Sequence, residues 1–229
     1  MPAELQSIAD PRLILLAWAA GLAMVAGVIS ILDVVGPGFT WLTAGVAGLV
    51  GLPGVFAGDA WWARSGIVLV VIGIALARKK KPAGVVLLLG GAAFLVEGAL
   101  DSGWIPALTG AIALGGVTGE MMLGHWYLID PRLPRRVLRG LAVAGIVGLC
   151  AETAMLVWSG VGASGSAVGF WVLMVTSVVL MVAVIAALRY PAYSGVMAAT
   201  GLSYLALLTT LGAVFVGRAV TAGLGPFDL

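Results

Sequence analysis

About eight apolar stretches, separated by short connections, run nearly end to end through the 229 residues. Lipid gives a backbone no hydrogen-bond partner, so such a chain is confined to helices or to a closed barrel. A barrel reads as alternating segments of about ten residues, whereas these runs are continuous. The hydrocarbon core takes about 20 apolar residues per helical crossing. That leaves roughly nine residues per connection, the length of a tight helical hairpin. The expectation is a single all-α integral membrane domain over 1–229, a polytopic bundle of about eight transmembrane helices with no soluble domain.

Composition narrows the partners. Charged residues make up 10% of the chain and hydrophobic ones 62%, against about 25% charged in soluble domains. A net charge of +2 is too small for nucleic acid, and the basic residues gather at the span ends, so the lipid bilayer is the expected partner. The one cysteine, Cys150, lies inside an apolar run and has no disulfide mate. Met1 to Arg12 carries Glu4 and Asp10 instead of a basic leader, so no cleavable signal peptide is expected.

The spans are read at 13–35, 39–58, 65–78, 82–100, 105–128, 137–159, 168–188 and 194–217. The third is short, with Trp61 and Trp62 at its interfacial end. The second, with Gly45, Gly48, Gly51, Gly54, Gly58 and Pro53, is a poor helix in isolation. If 39–58 is re-entrant, the count drops to seven. Lysine and arginine in short loops set orientation. Arg78 to Lys81, the group Arg132, Arg135, Arg136 and Arg139, and Arg189 all fall on one face when crossings alternate. These basic loops are expected in the cytoplasm, and composition points to a bacterial inner membrane. Glycines within the spans, such as Gly115, Gly116 and Gly119, or Gly145 and Gly148, suit closely packed helices. No internal repeat is legible.

Ionisable side chains at membrane depth are costly and mark candidate sites. Glu97, Glu120 and Glu152 qualify, on three consecutive spans. At about 1.5 Å per residue, Glu97 and Glu152 lie roughly 5–8 Å outside the midplane and Glu120 about 5 Å to its basic side. Burial favours the neutral form of a carboxyl, so these acids are read as a proton or cation relay. Around the next turn, His125, Trp126 and Tyr127, with Arg132, Arg135 and Arg136 beyond, form the densest polar and aromatic patch. These residues are read as contacts for a quinone ring or lipid headgroups.

Gly162-Ala163-Ser164-Gly165 resembles the serine motif of rhomboid intramembrane proteases, over four residues of the chain. That resemblance implies a serine nucleophile activated by a histidine on a later helix. Here the single histidine, His125, precedes Ser164 and belongs near the opposite face, so the base is missing. One histidine also excludes bis-histidine haem ligation, and one cysteine excludes a dithiol or iron–sulfur site. No phosphate-cradling glycine motif precedes a helix in a strand context.

Three readings remain from sequence. The first is a membrane protein handling protons or small cations through the buried glutamates. The second is a cofactor-free accessory subunit of a respiratory or other membrane complex, packed on other subunits or on copies of itself, with quinone as a bound ligand near His125. The third is a rhomboid-like protein without a catalytic base. No resident cofactor or metal is expected, and an enzyme is the less favoured outcome.

Overall fold

The computed structural model describes residues 8–56, 59–130, 133–161 and 167–223. Those residues form eight long helices: α1 (Pro11–Ile31), α2 (Pro37–Val55), α3 (Trp61–Ala75), α4 (Lys80–Ser102), α5 (Trp104–Ile129), α6 (Arg135–Trp158), α7 (Ala167–Arg189) and α8 (Tyr193–Thr221). No strand occurs among the described residues. Seven of the helices are long and apolar enough to cross a bilayer. The chain is an all-helical integral membrane protein.

Local signals fix several boundaries. Asp10 caps α1 by accepting from the Arg12 N–H at 2.8 Å, and Pro11 occupies the first turn, where its missing N–H is harmless. Between α4 and α5 the chain reverses on Gly103 alone, whose φ of 88° lies in the left-handed region that favours glycine.

The segment 39–58, weak as an isolated helix, folds as the continuous helix Pro37–Val55. Pro53 falls in its last turn, where little of the backbone ladder is left to lose. Its glycines serve packing. A Cβ on Gly51 would stand 2.8 Å from the Phe94 ring, and one on Gly54 2.4 Å from Leu16. The helix too short to span is instead α3, at 15 residues. At about 1.5 Å per residue it reaches about 22 Å, against a hydrocarbon core of about 30 Å.

The eight helices close into two rings of four. In the first, α1 packs on α2 and α4, while α3 bridges α2 and α4; in the second, α5 packs on α6 and α8, while α7 bridges α6 and α8. Each ring has its own core, one centred on Leu16, Leu22, Leu87 and Phe94, the other on Leu123, Leu149, Phe170 and Met181. The halves share a packing order, although no repeat is legible in the sequence. They meet chiefly where α1 crosses α5. There a Cβ on Gly115 would stand 2.6 Å from the Gly21 Cα, and one on Gly21 2.8 Å from the Gly115 Cα. Backbone touches backbone, which is how helices bind in lipid without a hydrophobic drive.

Side-chain pairs identify the ends. Lys80 pairs with Asp33 at the basic end. At the opposite end Arg12 pairs with Asp101.

Candidate functional site

The three glutamates lie in three separate environments. Glu97, in α4, is turned to the short helix α3. Its Oε2 accepts from the backbone N–H groups of Trp62 and Ala63, at 3.1 and 3.2 Å. At the other end of α3, the Trp41 indole N–H donates to the Ile74 carbonyl at 3.0 Å. The first and last turns of a helix leave N–H and C=O groups without partners in the helix itself. Neighbouring side chains supply the missing partners here, and a carboxylate at the N-terminal end also suits the helix dipole.

Glu152, in α6, is completely buried and faces Arg218 of α8, also completely buried. Arg218 Nε donates to Glu152 Oε1 at 2.8 Å; its Nη2 donates to Oε2 at 3.3 Å and to the Pro106 carbonyl at 2.7 Å. Thr109 of α5 donates to the same carboxylate. Gly110 makes room, since a Cβ there would stand 2.7 Å from Arg218 Nη2. Three helices are thereby tied around one charge pair at the end opposite the basic loops.

Glu120, in α5, is also completely buried but makes no ion pair among the described residues. Its partner is Ser203 of α8. The Ser203 hydroxyl also lies 2.7 Å from the Ala199 carbonyl of its own helix. A hydroxyl carries one proton. Its one proton is shared between the Glu120 carboxyl and the Ala199 carbonyl, as the Thr109 proton is shared between Glu152 and the Ile105 carbonyl. An unpaired carboxylate in hydrocarbon carries a large desolvation cost, and no ion pair among the described residues offsets it at Glu120.

The face that α8 turns inward carries Thr200, Ser203 and Thr210, all buried. Thr200 stands beside Gly124 of α5, where a Cβ would meet its Oγ1 at 2.8 Å and Glu120 Oε1 at 3.8 Å. Three buried polar atoms of this seam, Glu120 Oε1, Thr210 Oγ1 and Arg218 Nη1, have no hydrogen-bond partner among the described residues. Ile14, Leu114 and Val214 pack between the polar groups as an apolar plug.

The aromatic and basic patch divides. His125 is exposed toward the surroundings and contacts the Tyr204 hydroxyl through Nδ1 at 3.4 Å. Trp126 packs edge-on against Phe39 with ring centroids 6.2 Å apart. Tyr127 is buried under Arg135, whose guanidinium carbon is 5.9 Å from the ring centroid. Arg135 donates to the carbonyls of Tyr190, Pro191 and Ala192, and Arg139 to that of Leu188 at 3.1 Å. Both arginines thus hold the turn from α7 to α8. Arg136 is exposed. Arg132 and the segment Gly162 to Gly165 lie outside the described residues.

Sequence reading missed Arg218, Ser203, Thr109 and Tyr204. Arg218 comes one residue after the last span as read, where it looks like an interfacial residue. Its only signal was position: α8 runs on to Thr221. The spacing of Thr200, Ser203 and Thr210, three and seven residues apart, is helical and was legible.

Comparison of the chain with protein-family models, with curated proteins and with solved structures finds no match.

Proposed function

We propose that the protein handles protons in the membrane along the α5–α8 seam, with Glu120 as the group that takes up and releases them. The observation that carries this reading is the contrast between two buried acids. Glu152 has a guanidinium to neutralise it; Glu120 has only a serine and one oxygen without a partner. A carboxyl with a free oxygen suits a proton carrier, because it can take a proton on that side and release it on the other.

The other unpaired atoms follow in sequence along the same seam. Along α8, Ser203 to Thr210 is a step of about 10 Å and Thr210 to Arg218 one of about 12 Å. The second step passes the apolar plug of Ile14, Leu114 and Val214, which would separate the two ends of the path. Glu97 takes a structural part in this scheme, as the cap of α3. The basic loops face the cytoplasm in it, so that Glu120 lies toward the inner side and Arg218 toward the outer.

The test is proton flux into proteoliposomes carrying a trapped pH-sensitive dye. Wild-type protein is expected to conduct, and Glu120→Gln to abolish flux while remaining folded. Wild-type-like flux in that variant removes Glu120 from the mechanism.

The second reading, a subunit of a larger membrane complex, is favoured by glycines that the bundle does not consume. Gly45 in α2 and Gly201 in α8 are exposed, with nothing within 4 Å of an added Cβ. Partner helices would pack there, and quinone or lipid would meet His125 and Tyr204. Co-purification of stoichiometric subunits or of quinone in mild detergent would support it.

A further inference from the structure

A pocket of ≈ 440 Å³ opens at the end opposite the basic loops, between the starts of α1 and α3 and the end of α4. Its volume falls in the range of small-molecule sites, about 300–1,000 Å³. Arg12, Asp59, Trp61, Trp62, Glu97 and Asp101 line it. The carboxylates are not equivalent. Asp101 is held by Arg12, which also lies 3.5 Å from Asp10. Asp59 and Glu97 take part in no ion pair among the described residues. Only 7% of Glu97 is exposed, yet it lines this cavity; both N–H groups it accepts go to one oxygen, Oε2. Glu97 thus meets the pocket without an ion pair among the described residues, while Arg12, on the same wall, is engaged by Asp10 and Asp101.

Two indoles complete the site. Trp61 and Trp62 are 69% and 50% exposed at its rim. Tryptophans at a membrane edge are ordinary interfacial anchors. Beside a lining of three carboxylates and one guanidinium they do more, because an indole face attracts a cation and an anionic headgroup is repelled by the excess of acid. A bare metal ion does not fit this lining, since the acids form no metal-holding cluster among the described residues. The chemistry that suits acid, indole and volume together is a substituted ammonium group.

We infer that this pocket binds an organic ammonium ion, with Asp59 and Glu97 supplying charge and Trp61 and Trp62 the aromatic walls. The inference stands independently of proton handling at Glu120. Choline, free or as a lipid headgroup, has the required group. The experiment is calorimetric titration of full-length protein in phosphatidylglycerol nanodiscs with choline chloride, and with 3,3-dimethylbutanol, its uncharged analogue of equal shape. Saturable binding of choline alone is expected. The exposed Asp59→Asn, and the double variant W61L/W62L, should each weaken it by about two- to fivefold, the size of a solvent-exposed cation–π or charge contact. Nanodiscs of phosphatidylcholine separate the sources. Weakened choline binding there assigns the pocket to lipid headgroups, whereas unchanged binding assigns it to a free amine. Equal binding of choline and its neutral analogue, no saturable binding, or full affinity in Asp59→Asn would overturn the assignment.

Discussion

Replacing Arg218 by methionine is the most demanding test of the packing described above. The change keeps an unbranched side chain of similar reach but deletes three hydrogen bonds, two to Glu152 and one to the Pro106 carbonyl. Glu152 is then left fully buried with Thr109 as its remaining partner. Breaking a buried pair from one side costs about 3–5 kcal/mol, most of it the price of the stranded charge. Substituting both, R218M with E152M, strands no charge. Well-packed apolar replacements of buried pairs are often neutral or stabilising by about 1–4 kcal/mol. The double variant is therefore expected to be more stable than R218M alone, although it carries one more substitution. The assay is a double-mutant cycle from reversible unfolding of the four proteins in bicelles. The free energies of uncoupled sites add to within about 0.5 kcal/mol. A coupling below that limit would refute the claim that the pair acts as a unit, and with it the account of how α5, α6 and α8 are tied.

Other outcomes follow from the same contacts. Gly148→Ala places a Cβ 2.3 Å from the Ala113 backbone nitrogen, so α6 must move off α5; thermal stability in detergent should fall, whereas Gly45→Ala, in open space, should raise it by about 0.5–1 kcal/mol through helix propensity alone. Glu97→Ala should speed amide exchange at Trp62 and Ala63 and cost about 1–3 kcal/mol for uncapped buried N–H groups, while Glu97→Gln, which keeps an acceptor oxygen, should retain most protection. Ser203→Ala removes the hydroxyl that links Glu120 to Ala199; it should slow proton uptake in the liposome assay less than Glu120→Gln does, and equal losses would mean that the hydroxyl itself is indispensable.

Much of the architecture was legible because lipid permits few solutions. Continuous apolar runs and short connections give the eight helices, and basic loops agree with their alternation. The ambiguous segment 39–58 shows where local reasoning stops. Its glycines weaken an isolated helix, yet in the bundle they admit Phe94 and Leu16. The opposite error attaches to α3, which reads as a plain short span but relies on Glu97 and Trp41 from its neighbours.

The candidate site was legible only in part. Depth and charge single out Glu97, Glu120 and Glu152 along the chain, and each is indeed buried. Their differences are invisible there, because each depends on a residue 34 to 83 positions away. Sequence by itself determined the solvent, the helical class and the three places where an acid enters the membrane. These follow from one-dimensional patterns, since hydropathy and helix length are local quantities. Tertiary structure alone decided which acid caps a helix, which is paired with Arg218 and which has only a serine. A carboxyl's state in a medium of low dielectric is set by the few groups within hydrogen-bonding reach. Those groups meet only when the helices pack.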